Sequence, residues 1–260
     1  TAHIFMPTIA DISAAIEAEA PLSLQESWDN SGWQVAPCGT DAVCTGVMLC
    51  LDVTPRVVAE AVGRGCNLIV SHHPLIFKGL KHIMPGAVTD AIRAGVAVYS
   101  AHTSLDCAPC GPSAWLADRL GLTDTAPLDE SGLGIIGRYE CPLTHDEFTA
   151  RVGEVYGGGL RVTPGQSGMI ARVALCSGAG GEFITAAIGQ GADAYVTSDI
   201  RYHDFMDHGE RIMLVDTGHY ESEICTKSIF SHIISEKFPN FAVNMCHNEH
   251  KPVAYHAGNH

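Results

Sequence analysis

Apolar positions recur along this chain in two alternating rhythms. Between residues 8 and 20 they fall three and four apart, with Ile9, Ile12 and Ile16 on one face, and predict an amphipathic helix. Val43 to Leu51 then reads as a strand. Thr54 and Pro55 follow it as an N-cap and first helical residue, because a threonine oxygen accepts a free amide and proline lacks one. Gly65 ends that helix, and Asn67–Ser71 is the next strand. The same alternation continues with a helix near 85–94, a strand over 96–101 and a helix near 112–120. Strand 133–140, helix 144–156 and strand 170–176 come next. The rest reads as helix 181–190, strand 193–197, helix 200–208, strand 211–216, helix 221–237 and a short strand near 241–245.

Strands that alternate with helices predict an α/β fold with parallel pairing through right-handed crossovers. Ala61–Ser71 also reads closely like Ala187–Thr197, with a glycine between helix and strand in both. We therefore expect two similar α/β halves, residues 1–125 and 126–260, related by internal duplication. Ligands of open α/β sheets bind at the carboxyl ends of strands, so a cleft between the halves is the expected site.

Composition narrows the function. Hydrophobic content of 46% and charged content of 17% belong to an ordinary globular protein. A formal net charge of −14 argues against a nucleic-acid binder, which needs lysine and arginine against phosphates. No apolar run reaches the roughly 18 residues of a membrane span, and no secretory signal is evident. The ten cysteines are scattered and several lie in apolar runs, where a thiol packs as a small hydrophobe. A reducing cytoplasm is the expected compartment.

Three strand ends carry candidate chemistry. His72 and His73 follow Ile69-Val70-Ser71 and precede Pro74; His102 and Asp106 follow the strand over 96–101; His219 and Glu223 follow the strand over 211–216. Adjacent residues of an extended segment point to opposite sides, so His72 and His73 are expected to diverge, each toward its own ion, or one toward an ion and one into packing. His219 and Glu223 are four apart at the start of a helix, on one face, as suits a metal ion or a surface ion pair. Imidazole and carboxylate together suit Zn, Mn, Fe(II), Co or Ni. So many donors exceed what one catalytic ion usually takes, whereas two ions about 3.5–4 Å apart would use them and supply hydroxide near neutral pH.

Other motifs are weaker. Cys107-Ala108-Pro109-Cys110 has no second pair to complete a structural zinc site, and ordinary thiols are favoured over a redox role. Ser177-Gly178-Ala179-Gly180-Gly181 is either a tight strand-to-helix turn or a backbone cradle for an anion. Trp28-Asp29-Asn30-Ser31-Gly32-Trp33 reads as a cleft rim or a structural loop. His247, His250, His256 and His260 near the end could take up metal adventitiously.

Trp28–Gly32, Ser71–Phe77, His102–Asp106, Ser177–Gly181 and Gly218–Glu223 together, in this order, resemble the GTP cyclohydrolase 1 type 2 homologues, or Nif-three-like proteins. The resemblance spans nearly the whole chain. It implies two α/β halves around two divalent metal ions, assembled as a toroidal homohexamer. It implies His72, His73, Asp106, His219 and Glu223 as ligands, with Glu223 bridging, and His102 as a catalytic or supporting residue. Residues 125–168 look too few for the domain that some members insert between the halves, so the compact form is expected. Cys107 and Cys110 depart from the small residues usual there, and Ser198 stands where glycine is frequent. The reading is a dinuclear-metal hydrolase acting on a small anionic or nucleotide substrate. The rival is a non-catalytic metal-binding or regulatory ring.

Overall fold

A computed structural model describes residues 6–254; His256 and His260 of the histidine-rich end lie outside them. In chain order the elements are α1 (Ile9–Glu19), β1 (Gly32–Val35), β2 (Val47–Cys50), α2 (Pro55–Gly63), β3 (Leu68–Ser71), α3 (Ala87–Ala94), β4 (Ala97–Ser100) and α4 (Thr103–Asp106). Then come α5 (Pro112–Leu120), β5 (Thr123–Pro127), β6 (Gly134–Leu143), α6 (His145–Tyr156), β7 (Arg161–Val162) and β8 (Ile170–Ala179). The chain finishes with α7 (Ile184–Gly189), β9 (Ala194–Ser198), α8 (Tyr202–His208), β10 (Met213–Asp216), α9 (His219–Glu223), α10 (Thr226–Lys237) and β11 (Val243–Met245). The α/β class expected from the sequence is the one observed. No helix among these residues is long and apolar enough to cross a membrane.

The elements fall into two compact units. Of the described residues, 6–110 and 226–250 make the first, and 111–225 with 251–254 the second. The first unit's sheet runs β1-β4-β3-β2-β11, with β2, β3, β4 and β11 parallel and β1 antiparallel at its edge. Its central strands β2, β3 and β4 are buried on both faces: Met48, Ile69 and Val98 meet Val57, Ala61 and Ala91 from the helices, while Leu49, Val70 and Tyr99 are buried on the alternate face. The Thr54 side chain accepts from Val57 N with Pro55 behind it, so the expected cap is present, a device worth about 1 kcal/mol.

The second unit's sheet runs β5-β6-β8-β9-β10-β7. Only β8-β9-β10 is parallel, because β6 pairs antiparallel with β8 and β7 with β10. The uniformly parallel pairing expected from the alternation therefore holds for three strands here. Val173, Leu175, Val196 and Val215 fill one face with Phe148 and Val152; Ala174, Tyr195 and Leu214 fill the other with Phe183 and Ala187.

The helix-to-strand echo has a structural counterpart. Gly65 and Gly191 both adopt φ +71, a left-handed turn that glycine enters without a Cβ penalty. Beyond them Cys66 N donates to Ala61 O at 2.9 Å and Ala192 N to Ala187 O at 3.0 Å. The single helix expected over 221–237 is instead two, α9 and α10, and the boundary between the units falls between them. Ile224 and Cys225 break the helix because apolar residues of α10 such as Ile229, Phe230 and Ile234 are buried in the first unit, not the second.

Candidate metal centre

The first unit presents its polar side chains where three parallel strands stop in register. Cys50, Ser71 and Ser100 lie side by side, and Asp52, His73 and His102 each follow two residues later. His72 is fully buried, and its Nδ1 lies 3.0 Å from the Ala101 carbonyl. A carbonyl only accepts, so Nδ1 is the donor in that contact. Nε2, on the other side of the ring, faces Asp106 Oδ1 at 3.6 Å. A ring nitrogen and a carboxylate oxygen facing each other are a donor pair that a cation could share.

His73 and His102 repeat the arrangement with carboxylates. His73 Nδ1 is 2.8 Å from Asp52 Oδ1, and His102 Nδ1 is 2.9 Å from Asp29 Oδ1. One donor atom from each of His72, His73 and His102 lies within 4.8 Å of the others, a spacing that fits one bound ion. The expected divergence of His72 and His73 is corrected here: their ring centroids are 5.2 Å apart and tilted by only 40°. The alternation that would separate them ends with β3 at Ser71, and the chain bends over both histidines.

Asp29 is built to stay ionised. Burial opposes its charge, yet donation from His102, Thr103 and Ser31 outweighs that and holds its pKa well below the carboxylate range. The frame beneath His73 comes from the far end of the sequence. The buried Glu249 carboxylate accepts from Leu51 N and from Asp52 N at 3.0 Å, and Lys227 Nζ donates to it at 2.8 Å.

In the second unit His219 sits between two carboxylates. Its Nδ1 is 2.7 Å from Asp199 Oδ2 and its Nε2 is 2.9 Å from Glu223 Oε2. The hydrogen bond to Glu223 raises the pKa of this imidazole to about 9; burial opposes the rise, and Asp199 adds to it. The proton stands where a metal ion would. Gly178 makes room for the pair: at φ +69 a Cβ there would lie 2.3 Å from Glu223 Oε1. Asp199 itself holds φ 55, an unusual conformation for a residue other than glycine and one often found at functional positions.

Two amides of the glycine-rich turn are committed within the protein. Gly178 N donates to Ser222 Oγ at 2.9 Å and Ser177 N to Ser113 Oγ at 3.1 Å, so these amides are already used. Cys107 and Cys110 are both free thiols. Burial, then Asp106, pushes Cys107 up to about 11, which disfavours the thiolate that redox chemistry needs.

Sequence reasoning named the histidines but gave no role to Asp29, Asp52 or Asp199. Asp52 stands two residues beyond β2 and Asp199 one beyond β9, and that position is the signal that could have found them. Asp29 stands inside the Trp28–Trp33 motif.

Fold and donors define a class: mixed α/β proteins with histidine and carboxylate groups suited to metal at their strand ends. The chain belongs to the Duf34/NIF3 (NGG1p interacting factor 3) family, whose profile matches residues 7–252. A Lactococcus lactis protein named GTP cyclohydrolase 1 type 2 homolog is 34% identical over 247 residues, 90% of this chain and 92% of its own. A Nostoc protein of the same name is 37% identical, over 83% of this chain and 86% of its own. Among solved structures, a Staphylococcus aureus hypothetical protein superposes with a TM-score of 0.86 at 28% identity, covering 95% of this chain and 99% of its own.

Proposed function

We propose that the chain is a metal-dependent hydrolase whose two donor sets, His72, His73 and Asp106 with His219 and Glu223, together hold two divalent ions. The observation that carries the reading is that all four histidines, His102 included, have Nδ1 tied to an acceptor. Tying one ring nitrogen fixes the tautomer and aims the other, which is how proteins prepare histidine for metal. The nitrogen and oxygen donors suit Zn, Fe(II), Mn, Co or Ni. Ions held there would polarise a substrate oxygen and bring the pKa of a coordinated water to about 7.

The chain's own residues do the rest. Glu223, with two carboxylate oxygens, would by the family resemblance be one of the residues that hold both ions. His102, kept in one tautomer by Asp29, takes a proton at Nε2 and returns it to the leaving group. The substrate is a small anion, with GTP one candidate through the name that the relatives bear. A toroidal homohexamer accompanies this reading through the family resemblance, and a reducing cytoplasm through the scattered cysteines.

The test uses protein lacking residues 255–260, to remove stray histidines, loaded with Mn, Fe(II), Co or Zn and offered nucleotides and phosphoesters. Metal-dependent hydrolysis that Asp106→Ala abolishes is the expected result. No turnover above that variant across the panel would sink the hydrolase and leave a metal-binding ring.

A further inference from the structure

Beside the first unit's histidines stand two large aromatic residues that the fold holds out to solvent. Trp28 is 56% exposed and Phe77 45% exposed. Their ring centroids are 5.9 Å apart, and they lie 5.9 and 6.1 Å from the His102 ring, which each meets nearly edge-on. Exposed apolar side chains are ordinary on floppy loops and need no account there. These two are not on floppy loops.

The Trp28 loop is stapled to the Phe77 segment through both backbone groups of Ile76. Asn30 Nδ2 donates to Ile76 O at 2.6 Å, and Ile76 N donates to Gln34 Oε1 at 2.9 Å. The same loop is fixed to His102, whose backbone N donates to Ser31 Oγ at 3.0 Å, and to Thr103, whose Oγ1 accepts from Glu26 N at 2.9 Å. Packing does not demand that the rings face water, yet the polar frame allows them little else.

Charge narrows what would cover them. Although the chain carries a net −14, no carboxylate occurs in the sequence between Glu60 and Asp90, a stretch in which Lys78 directly follows Phe77 and Lys81 stands four residues beyond it. A flat ring attracts aromatic faces and a phosphate attracts lysines; a substrate with both fits this edge of the site.

We propose that Trp28 and Phe77 form a stacking wall for a planar heteroaromatic ring of an anionic substrate, setting that ring beside His102. The proposal rests on the hydrolytic reading above but fails separately from it. Alanine at a stacking position typically costs about 1–3 kcal/mol per base, or roughly 5- to 150-fold in affinity.

The experiment measures binding of GMP, and of ribose 5-phosphate as the same anion without a ring, to metal-loaded full-length protein by calorimetry. Wild type should prefer GMP at least about tenfold, within that stacking range. Trp28→Ala and Phe77→Ala should remove most of that preference while leaving ribose 5-phosphate affinity and metal content unchanged, and Trp28→Phe should restore it. Equal affinity for the two probes, or equal loss of both in Trp28→Ala, would overturn the wall. So would a smaller assembly on sedimentation of Trp28→Ala, which would make the patch a contact between copies of the chain. If no substrate is turned over but the ring preference follows Trp28, the wall stands and the hydrolase falls.

Discussion

The two units hold their histidines in opposite ways. In the first, His72, His73 and His102 each engage one acceptor through Nδ1 and bring their donor atoms together. In the second, one imidazole lies between Asp199 and Glu223 and is protonated, with its pKa raised to about 9. The first set is arranged to receive a cation as it stands. The second already holds one, a proton, and must exchange it. Ligand arrays with similar ingredients can therefore differ in what binding costs them.

The largest effect should come from breaking the bridge. If Glu223 serves both ions, Glu223→Ala strips the metal beside His72 as well as that beside His219, taking the chain from about two ions to none. Elemental analysis of protein purified with excess metal measures this. One ion retained would mean that the sets act independently.

A smaller effect is expected from the carboxylates behind the histidines. Asp52→Asn and Asp199→Asn should weaken metal binding by about 10- to 100-fold, the usual penalty for losing such a partner. Competition against a chromophoric chelator reads this directly. Asp29→Asn should lower turnover more than metal affinity, because His102 is assigned to proton movement. Wild-type affinity in Asp52→Asn and Asp199→Asn would remove the resemblance between the two supports.

The smallest effect is on pH. The raised pKa of His219 means that its proton stabilises the metal-free protein fully below about pH 6.5, and that this contribution fades as pH rises through about 9. Melting temperature of metal-free protein should decline over that window, and Glu223→Gln should flatten the decline by removing the main cause of the shift. Metal-loaded protein should show none of it, since the ion replaces the proton. An identical decline in loaded protein would place its origin elsewhere.

Much of this was legible because strand ends have a simple signature. A run of buried β-formers followed at once by histidine or aspartate marks a polar group at the sheet's carboxyl edge, and that rule found His72, His73, His102 and His219. Thr54 with Pro55, and the glycines at 65 and 191, marked helix ends for equally local reasons. What escaped was not local. β5, Thr123–Pro127, is exposed at every residue and has no apolar alternation to reveal it. The bend that turns His72 and His73 together lies beyond the strand, where period-two reasoning stops. The break between α9 and α10 depends on which unit buries each apolar face, and helical periodicity is silent on that.

Glu249 carries a consequence for how the molecule is made. The loop that offers Asp52 to His73 donates backbone hydrogen bonds to a side chain 197 residues downstream of Asp52. A ribosome emits His72, His73 and His102 early, but the unit they belong to closes only when residues 226–250 arrive. Until then its sheet lacks β11 and its ligand loop lacks its clamp. Metal taken up by these histidines would wait for residues 226–250, and a chain stopped before them would carry the histidines without that frame.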